Sequence, residues 1–205
     1  MSNTFENDEQ RVSYGIGRQM GEQLLSSNIP DLTLDLVAAG LRDAYTQQPS
    51  QVAEADLQAA FQQLQEKMRA AAQESAKLAA QAGVEFLAEN AKRDGVTTLA
   101  SGLQYEVVTA GEGATPEAGS TVQTHYEGTL ISGEVFDSSY KRGQPAEFPV
   151  GGVIAGWTEA LQLMQEGAKW RLFIPAELAY GERGAGNSIP PHSALIFEIE
   201  LLKVL

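Results

Sequence analysis

Residues 151–174 read GGVIAGWTEALQLMQEGAKWRLFI. Gly156 to Met164 has the spacing of one short helix, and Lys169 to Ile174 reads as a strand with Trp170, Leu172 and Ile174 on one face. A lone helix set among strands is the grammar of the surrounding hundred residues. Upstream, Leu103 to Val107 and Val122 to Tyr126 alternate apolar and polar side chains. Downstream, Ala194 to Leu205 sets Leu195, Phe197, Ile199 and Leu201 against Ile196, Glu198 and Glu200. From about Thr97 onward the expected architecture is α+β: an antiparallel sheet curled over a single short helix.

The aromatic residues of this region sit at turn edges. HYEG, FDSS, GGVIAGW, LAYGERGAG and NSIPPHS carry Tyr126, Phe136, Asp137, Val153, Ile154, Trp157, Tyr180 and Ile189, with Phe148 and Phe197 nearby. Aromatics beside glycine and proline point to a lined concavity, with Asp137 as a buried acid among them. Taken singly, Phe148 or Phe197 reads as strand core and Asp137 as a turn cap. Only the joint pattern makes a pocket. It contains no nucleophile beside a base, no metal cluster and no phosphate loop. Gly181, Gly184 and Gly186 follow no strand–turn–helix context, so they are not a nucleotide site. No cofactor and no metal are expected. Such a pocket can hold an apolar group and change its surroundings.

The 205 residues are 43% hydrophobic, contain no cysteine and carry a net charge of −13. Fourteen acids and eight bases lie up to Asp94, thirteen acids and six bases beyond it, so neither half is a charged tail. The charge argues against nucleic acid, which calls for a basic face. Disulfides, thiolate chemistry and cysteine-based zinc sites are excluded. His125 and His192 read as ordinary structural histidines. No apolar run is long enough for a membrane span. The acidic start MSNTFENDEQ lacks the basic and apolar regions of a secretory signal, and the expected compartment is cytoplasmic.

The first 94 residues read as helix. Val12, Ile16, Met20 and Leu24 recur every four residues between about Glu9 and Ser26. Gly17 and Gly21, also four apart, allow close approach of another backbone or are simply tolerated. A second helix is expected from about Thr33 to Tyr45, with Ser50 as N-cap of a third. That third helix, from about Gln51 to Arg93, would be roughly 65 Å long. Leu57, Phe61, Leu64 and Met68 form its apolar seam, and the alanine-rich stretch AAAQESAKLAAQAG reads as an exposed strut. Two short helices and half a strut make too small a core. The expected division is therefore a helical homodimerisation module over 1–50, a long linking helix over 51–94 and an α+β domain over 95–205. Packing of the helices on the C-terminal half of the same chain is the alternative.

Three runs carry a family resemblance over about residues 100–205: HYEGTLISGEVFDSS, GGVIAGWTEALQLMQEG and LAYGERGAGNSIPPHSALIFEIELL. They closely resemble the FKBP-type peptidyl-prolyl cis/trans isomerases. YGIGRQMG and FLAENAKRDGV are similar to the bacterial subgroup with an N-terminal helical dimerisation region, the macrophage infectivity potentiator proteins and their cytoplasmic relatives. The resemblance implies an isomerase of X–Pro bonds, working on folding proteins as a V-shaped homodimer and binding a macrolide in its pocket. It implies Trp157 as the floor under the proline ring, and Tyr126, Phe136 and Phe197 as walls. The Ile154 N–H and the Tyr180 hydroxyl would hold substrate carbonyls, and Asp137, tied to Arg142, would face the twisting imide. Phe148, Val153 and Ile189 would complete the lining. Ala146 and Ser188 depart from the family pattern, thin the pocket rim, and bear on macrolide affinity and substrate preference.

This chemistry suits a pocket without acid–base machinery. The X–Pro barrier of about 18–20 kcal/mol comes from partial double-bond character, and no covalent bond has to break. Twisting makes the imide less polar, so displacing water with aromatic walls favours the twisted state. The alternative function is a holdase-type chaperone that grips unfolded chains, with catalysis secondary.

Overall fold

The computed structural model describes residues 5–27 and 29–205, so the first four residues of the acidic start lie outside the described residues. Two compact units divide within one helix, between Phe61 and Gln62.

In the first unit, α1 spans Asp8–Ser26 and α2 spans Leu34–Tyr45. The Asn7 side chain caps α1 by accepting the Gln10 N–H at 2.9 Å, and Asp8 and Glu9 complement the helix dipole. Neither helix has a buried residue. Val12, Ile16, Leu34, Leu41 and Tyr45 are all exposed and Met20, Leu24 and Val37 half-buried, so the apolar faces read from the sequence are only partly covered by the described residues. A Cβ added at Gly17 or Gly21 would meet nothing within 4 Å, which leaves conformational tolerance as their role inside one chain.

Helix α3 runs over Glu54–Asn90, 37 residues and about 55 Å. Ser50 does not cap it. The Ser50 hydroxyl closes a local turn instead, accepting the Val52 N–H at 3.2 Å and donating to the Val52 carbonyl at 2.7 Å. The later half of α3, expected as a free strut, lies against the sheet of the second unit. Gly83 is buried, and a Cβ there would sit 3.1 Å from the Ala194 Cβ. Phe86 and Phe173 meet at 6.0 Å between ring centres. Asn90 Nδ2 donates to Gln104 Oε1 at 2.8 Å, and Gln104 Nε2 donates to the Leu87 carbonyl at 2.9 Å. Small side chains let the helix come this close, and a hydrophobic-period reading has no weight to give alanine and glycine.

The second unit holds a seven-stranded antiparallel sheet in the order β1-β2-β6-β7-β3-β4, with β5 also paired to β3. The strands are β1 (Val96–Thr98), β2 (Gln104–Thr109), β3 (Thr121–Leu130), β4 (Val135–Ser138), β5 (Ala146–Pro149), β6 (Lys169–Ile174) and β7 (Leu195–Val204). Burial alternates along β3 and β7, and Leu195, Phe197, Ile199 and Leu201 face inward as their spacing predicts. Helix α4 is a single turn, Ser139–Arg142, and α5 spans Ala155–Leu161 in the concave face. Gly156 seats α5, because a Cβ there would come within 2.6 Å of Ile174 Cγ2. Leu103, Val122, Leu161, Met164, Leu172 and Ile174 are fully buried around it, each leucine contributing roughly 1.5–3 kcal/mol. On the opposite face Glu198 accepts from Lys169 and Arg171, and the hydrogen bond from Lys169 holds its carboxyl below the usual range.

Candidate functional site

Four strands, helix α5 and two connecting segments converge on one cleft of about 440 Å³. Strand β3 brings Tyr126, β4 brings Phe136 and Asp137, and β5 brings Phe148. Val153 and Ile154 enter on the turn before α5, Trp157 on α5 itself, Tyr180 on the segment after β6, and Phe197 on β7. Alternation turns Tyr126, Phe148 and Phe197 inward on β3, β5 and β7, whereas on β4 the adjacent Phe136 and Asp137 both reach the cleft, beside a register shift in the β3–β4 pairing.

Trp157, 4% exposed, lies at the centre. Tyr126, Phe148 and Phe197 stand nearly perpendicular to its indole, at 84°, 85° and 86°, with ring centres 5.1, 5.7 and 5.2 Å away. Phe136 packs edge-on against Phe197 at 5.5 Å. Edge-to-face contact is the favoured aromatic geometry, and here it makes walls around a floor. The rings therefore frame an opening instead of closing on each other.

One polar cluster borders the rings. The Tyr126 hydroxyl donates to Asp137 Oδ2 at 2.6 Å and accepts from Arg142 Nη2 at 2.8 Å. Arg142 Nη1 is paired with Asp137 Oδ1, and its guanidinium lies 5.4 Å above the Tyr126 ring. Arg142 does not line the cleft; it fixes two residues that do. Asp137 is not the buried acid expected, since its side chain is 42% exposed. Burial acts to raise its carboxyl, and the hydrogen bonds from Tyr126 and Arg142 outweigh that and hold it below the ordinary range. Burial pushes the Tyr180 hydroxyl up, helped by the charge of Asp137. No protein partner takes that hydroxyl among the described residues, and the N–H of Ile154, the N-cap of α5, is likewise uncommitted.

Ile189 departs from its expected place. It is buried in the core and forms a two-way backbone bridge with Ala185, at 2.9 and 3.1 Å. That bridge ties together the loop that follows Tyr180, and Ile189 is not among the residues that surround the cavity. Ser188 beside it is exposed, and Ala146 packs half-buried against the core.

Three contributors escaped the sequence reading. Gly128 lies directly behind the walls, for a Cβ there would come within 2.6 Å of both Phe136 and Phe197. Ser139, fully buried, accepts the Tyr126 N–H at 2.8 Å and donates back to the Tyr126 carbonyl at 3.2 Å. It pins the strand that carries the phenol. Gly152 lines the cleft next to Val153. The glycine of HYEG and the second serine of FDSS were the available signals; neither residue type carries a period or a charge that marks it.

No group of three or more His, Cys, Asp or Glu could hold a metal among the described residues, and no helix among them is long and apolar enough to cross a membrane.

Residues 112–202 match the profile of the FKBP-type peptidyl-prolyl cis-trans isomerases, and residues 9–107 match the domain amino-terminal to that isomerase. The FKBP-type 22 kDa peptidyl-prolyl cis-trans isomerase of Escherichia coli K12 is 50% identical over 202 residues, covering 98% of each chain. The peptidyl-prolyl cis-trans isomerase Mip of Coxiella burnetii is 42% identical, covering 98% of this chain and 88% of its own. Among solved structures, FkpA from Escherichia coli superposes with a TM-score of 0.71 at 38% identity, covering 98% of both chains. A peptidyl-prolyl isomerase from Pseudomonas syringae pv. tomato gives 0.59 at 44% identity, covering 62% of this chain and 94% of its own. With both halves matched and the aromatic cleft in place, the chain belongs to the FKBP-type peptidyl-prolyl cis-trans isomerases and is an enzyme of that class.

Proposed function

We propose that the cleft seats the proline ring on the Trp157 indole and lets the preceding imide twist beside Asp137. One observation carries this assignment of roles: three rings stand at right angles to a buried indole, with the Tyr180 hydroxyl and the Ile154 N–H unspent at the rim. A flat imide is the more polar state and gains most from water. Dry ring faces withdraw that water, and two oriented donors hold the flanking carbonyls in a bent shape. Phe136, Phe148, Val153 and Phe197 act as the dry wall. Asp137, kept ionised by Tyr126 and Arg142, orients the imide and moves no proton. The test is the cis-to-trans relaxation of a short Xaa-Pro peptide. Trp157→Phe and Tyr180→Phe should each lower kcat/KM, the first more; unchanged rates in both would move the site elsewhere.

We further propose that residues 1–50, with the start of α3, form a homodimerisation module, residues 51–94 a link, and residues 95–205 the catalytic domain, so that two sites act on one client with chaperone activity. The support is the set of exposed apolar residues on α1 and α2, helices in which no residue is buried among the described residues. Two linked sites raise the effective concentration of a long client. Val12→Glu together with Ile16→Glu should halve the mass in sedimentation, leave the short-peptide rate alone and slow a proline-limited refolding reaction. If holding dominates over catalysis, Trp157→Phe will leave suppression of client aggregation intact. A macrolide is proposed as a cleft ligand, tested by calorimetry against Trp157→Phe. Residence in the cytoplasm belongs to the same proposal; one relative, 41% identical, is named an outer membrane protein, and cell fractionation decides.

A further inference from the structure

His125 precedes Tyr126 on β3, so its side chain leaves the strand on the face away from the cleft. Strand β3 pairs with β5 up to Thr124 and with β4 from Glu127 onward. Neither strand pairs with His125 or Tyr126 among the described residues, and Ser139 of α4 stands in that gap. Three groups reach its hydroxyl: the Tyr126 N–H at 2.8 Å, the Tyr126 carbonyl at 3.2 Å and His125 Nδ1 at 2.9 Å. The N–H can only donate, the carbonyl can only accept, and the hydroxyl has one proton to give. With that proton on the carbonyl, all three bonds form when Nδ1 carries a hydrogen and donates it. With Nδ1 bare, the proton serves either the ring or the carbonyl, and one bond is lost. Ser139 is fully buried, where a lost bond is costly.

The imidazole is also held from outside. Tyr140, next to Ser139 on α4, stacks on it with ring centres 4.7 Å apart and planes at 14°. The Tyr140 hydroxyl donates to Glu200 Oε2 at 3.1 Å, and Glu200 stands opposite His125 in the β3–β7 ladder. Lys169 of β6 lies 5.7 Å above the Tyr140 ring and pairs with Glu198. One turn of helix therefore grips β3 beside the cleft. Ser139 and Tyr140 hold the His125 ring and the Tyr126 main chain, and Arg142 holds the Tyr126 hydroxyl.

We propose that His125, in its Nδ1–H form, is a positioning residue for the isomerisation. It fixes the Ser139 hydroxyl, which fixes the main chain of Tyr126 and so aims the phenol at Asp137. Tyr140 keeps the imidazole in place. A second proton enters at Nε2 and leaves all three bonds at Ser139 intact, so titration of the ring does not reach the peptide rate. The assignment rests on the cleft reading, in which the Tyr126–Asp137 pair faces the twisting imide.

The test begins with the unaltered full chain, labelled with nitrogen-15 in its two histidines. The signal lost in His125→Asn identifies the ring. Long-range proton–nitrogen spectra of the neutral imidazole should show His125 protonated at Nδ1, and protonation at Nε2 alone overturns the assignment. His125→Leu should lower kcat on a short Xaa-Pro peptide by about tenfold and leave KM within about twofold. His125→Asn, which presents an N–H at the place of Nδ1, should return the rate to within about threefold of the unaltered chain. In a Tyr126→Phe background there is no phenol to aim, and His125→Leu should change kcat by less than about twofold. A tenfold loss that persists there marks a merely structural role and overturns the proposal, as does an unchanged rate in His125→Leu alone. Should His125→Leu fail to fold, Tyr140→Leu replaces it in both comparisons with the same outcomes. If Tyr126→Phe and Trp157→Phe both keep the full peptide rate, the cleft reading falls, and the positioning role with it, whichever nitrogen holds the proton.

Discussion

Tyr126 and Asp137 are joined across the β3–β4 hairpin by a 2.6 Å hydrogen bond from the phenol to the carboxylate. Arg142, one turn further on, binds both. The pair turns a partly exposed acid into a fixed feature of an otherwise apolar cleft. Its members contribute little to folding, because exposed ion pairs are worth about 0–1 kcal/mol. Their value lies in orientation. Asp137→Ala should therefore lower kcat/KM on an Xaa-Pro peptide by about tenfold while moving the urea midpoint little. A double-mutant cycle of Tyr126→Phe with Asp137→Asn should be strongly non-additive in kcat/KM. Additive effects would mean that the two side chains work separately.

The pH profile follows from the same cluster. Asp137 has a lowered carboxyl value, so it favours the fold above its unfolded value of about 4 and loses that contribution as pH falls through its folded value. Burial and the bond to Asp137 raise the Tyr126 hydroxyl, and burial followed by the charge of Asp137 raises that of Tyr180. Both favour the fold below about pH 10 and cease to as pH climbs through their folded values. No titration of these three groups falls between. We expect kcat/KM to be flat from about pH 5 to 9. A limb near neutrality would assign a proton transfer to the site and contradict a purely conformational mechanism.

Those residues were legible in the sequence because aromatics beside glycine and proline are conspicuous. Strands β3, β6 and β7 were legible too, since six to ten alternating positions outweigh local noise. Strands β1, β4 and β5 were not, for three or four residues cannot establish a period. Ile189 was read as lining because it is a loop isoleucine in a turn-rich run; the structure adds that it is buried with the core and bridged by its backbone to Ala185. The docking of α3 was hidden for a different reason. Its contacts run through Gly83, Ala194 and the amide pair Asn90–Gln104, and a hydrophobic pattern gives none of these weight.

Thr124 offers a stability test independent of function. It faces inward on β3, is fully buried, and its hydroxyl has no partner among the described residues. A buried hydroxyl without a hydrogen bond costs about 1–3 kcal/mol. Thr124→Val removes that cost at nearly the same shape. It should stabilise the protein by about 1 kcal/mol in urea denaturation and leave the peptide rate unchanged. A loss of stability would show that the hydroxyl is satisfied in solution.

Gly128 separates the cleft from the fold. It sits at a register shift in the β3–β4 pairing but outside the left-handed region, so the case for glycine here is space and not conformation. A methyl at this position would lie 2.6 Å from Phe136 Cζ and 2.6 Å from Phe197 Cε1. These rings already touch edge-on, and the open direction for them is the cleft. Gly128→Ala should narrow the proline seat, lower kcat/KM by tenfold or more, chiefly through KM, and cost roughly 1–3 kcal/mol of stability through overpacking. Gly133 is the control. It holds φ +89° in the hairpin turn with nothing within 4 Å, so Gly133→Ala should cost about 1 kcal/mol through backbone strain alone and spare the peptide rate. If both variants lose stability and neither loses activity, the rings yield outward, and the cleft is wider than the walls behind Gly128 imply.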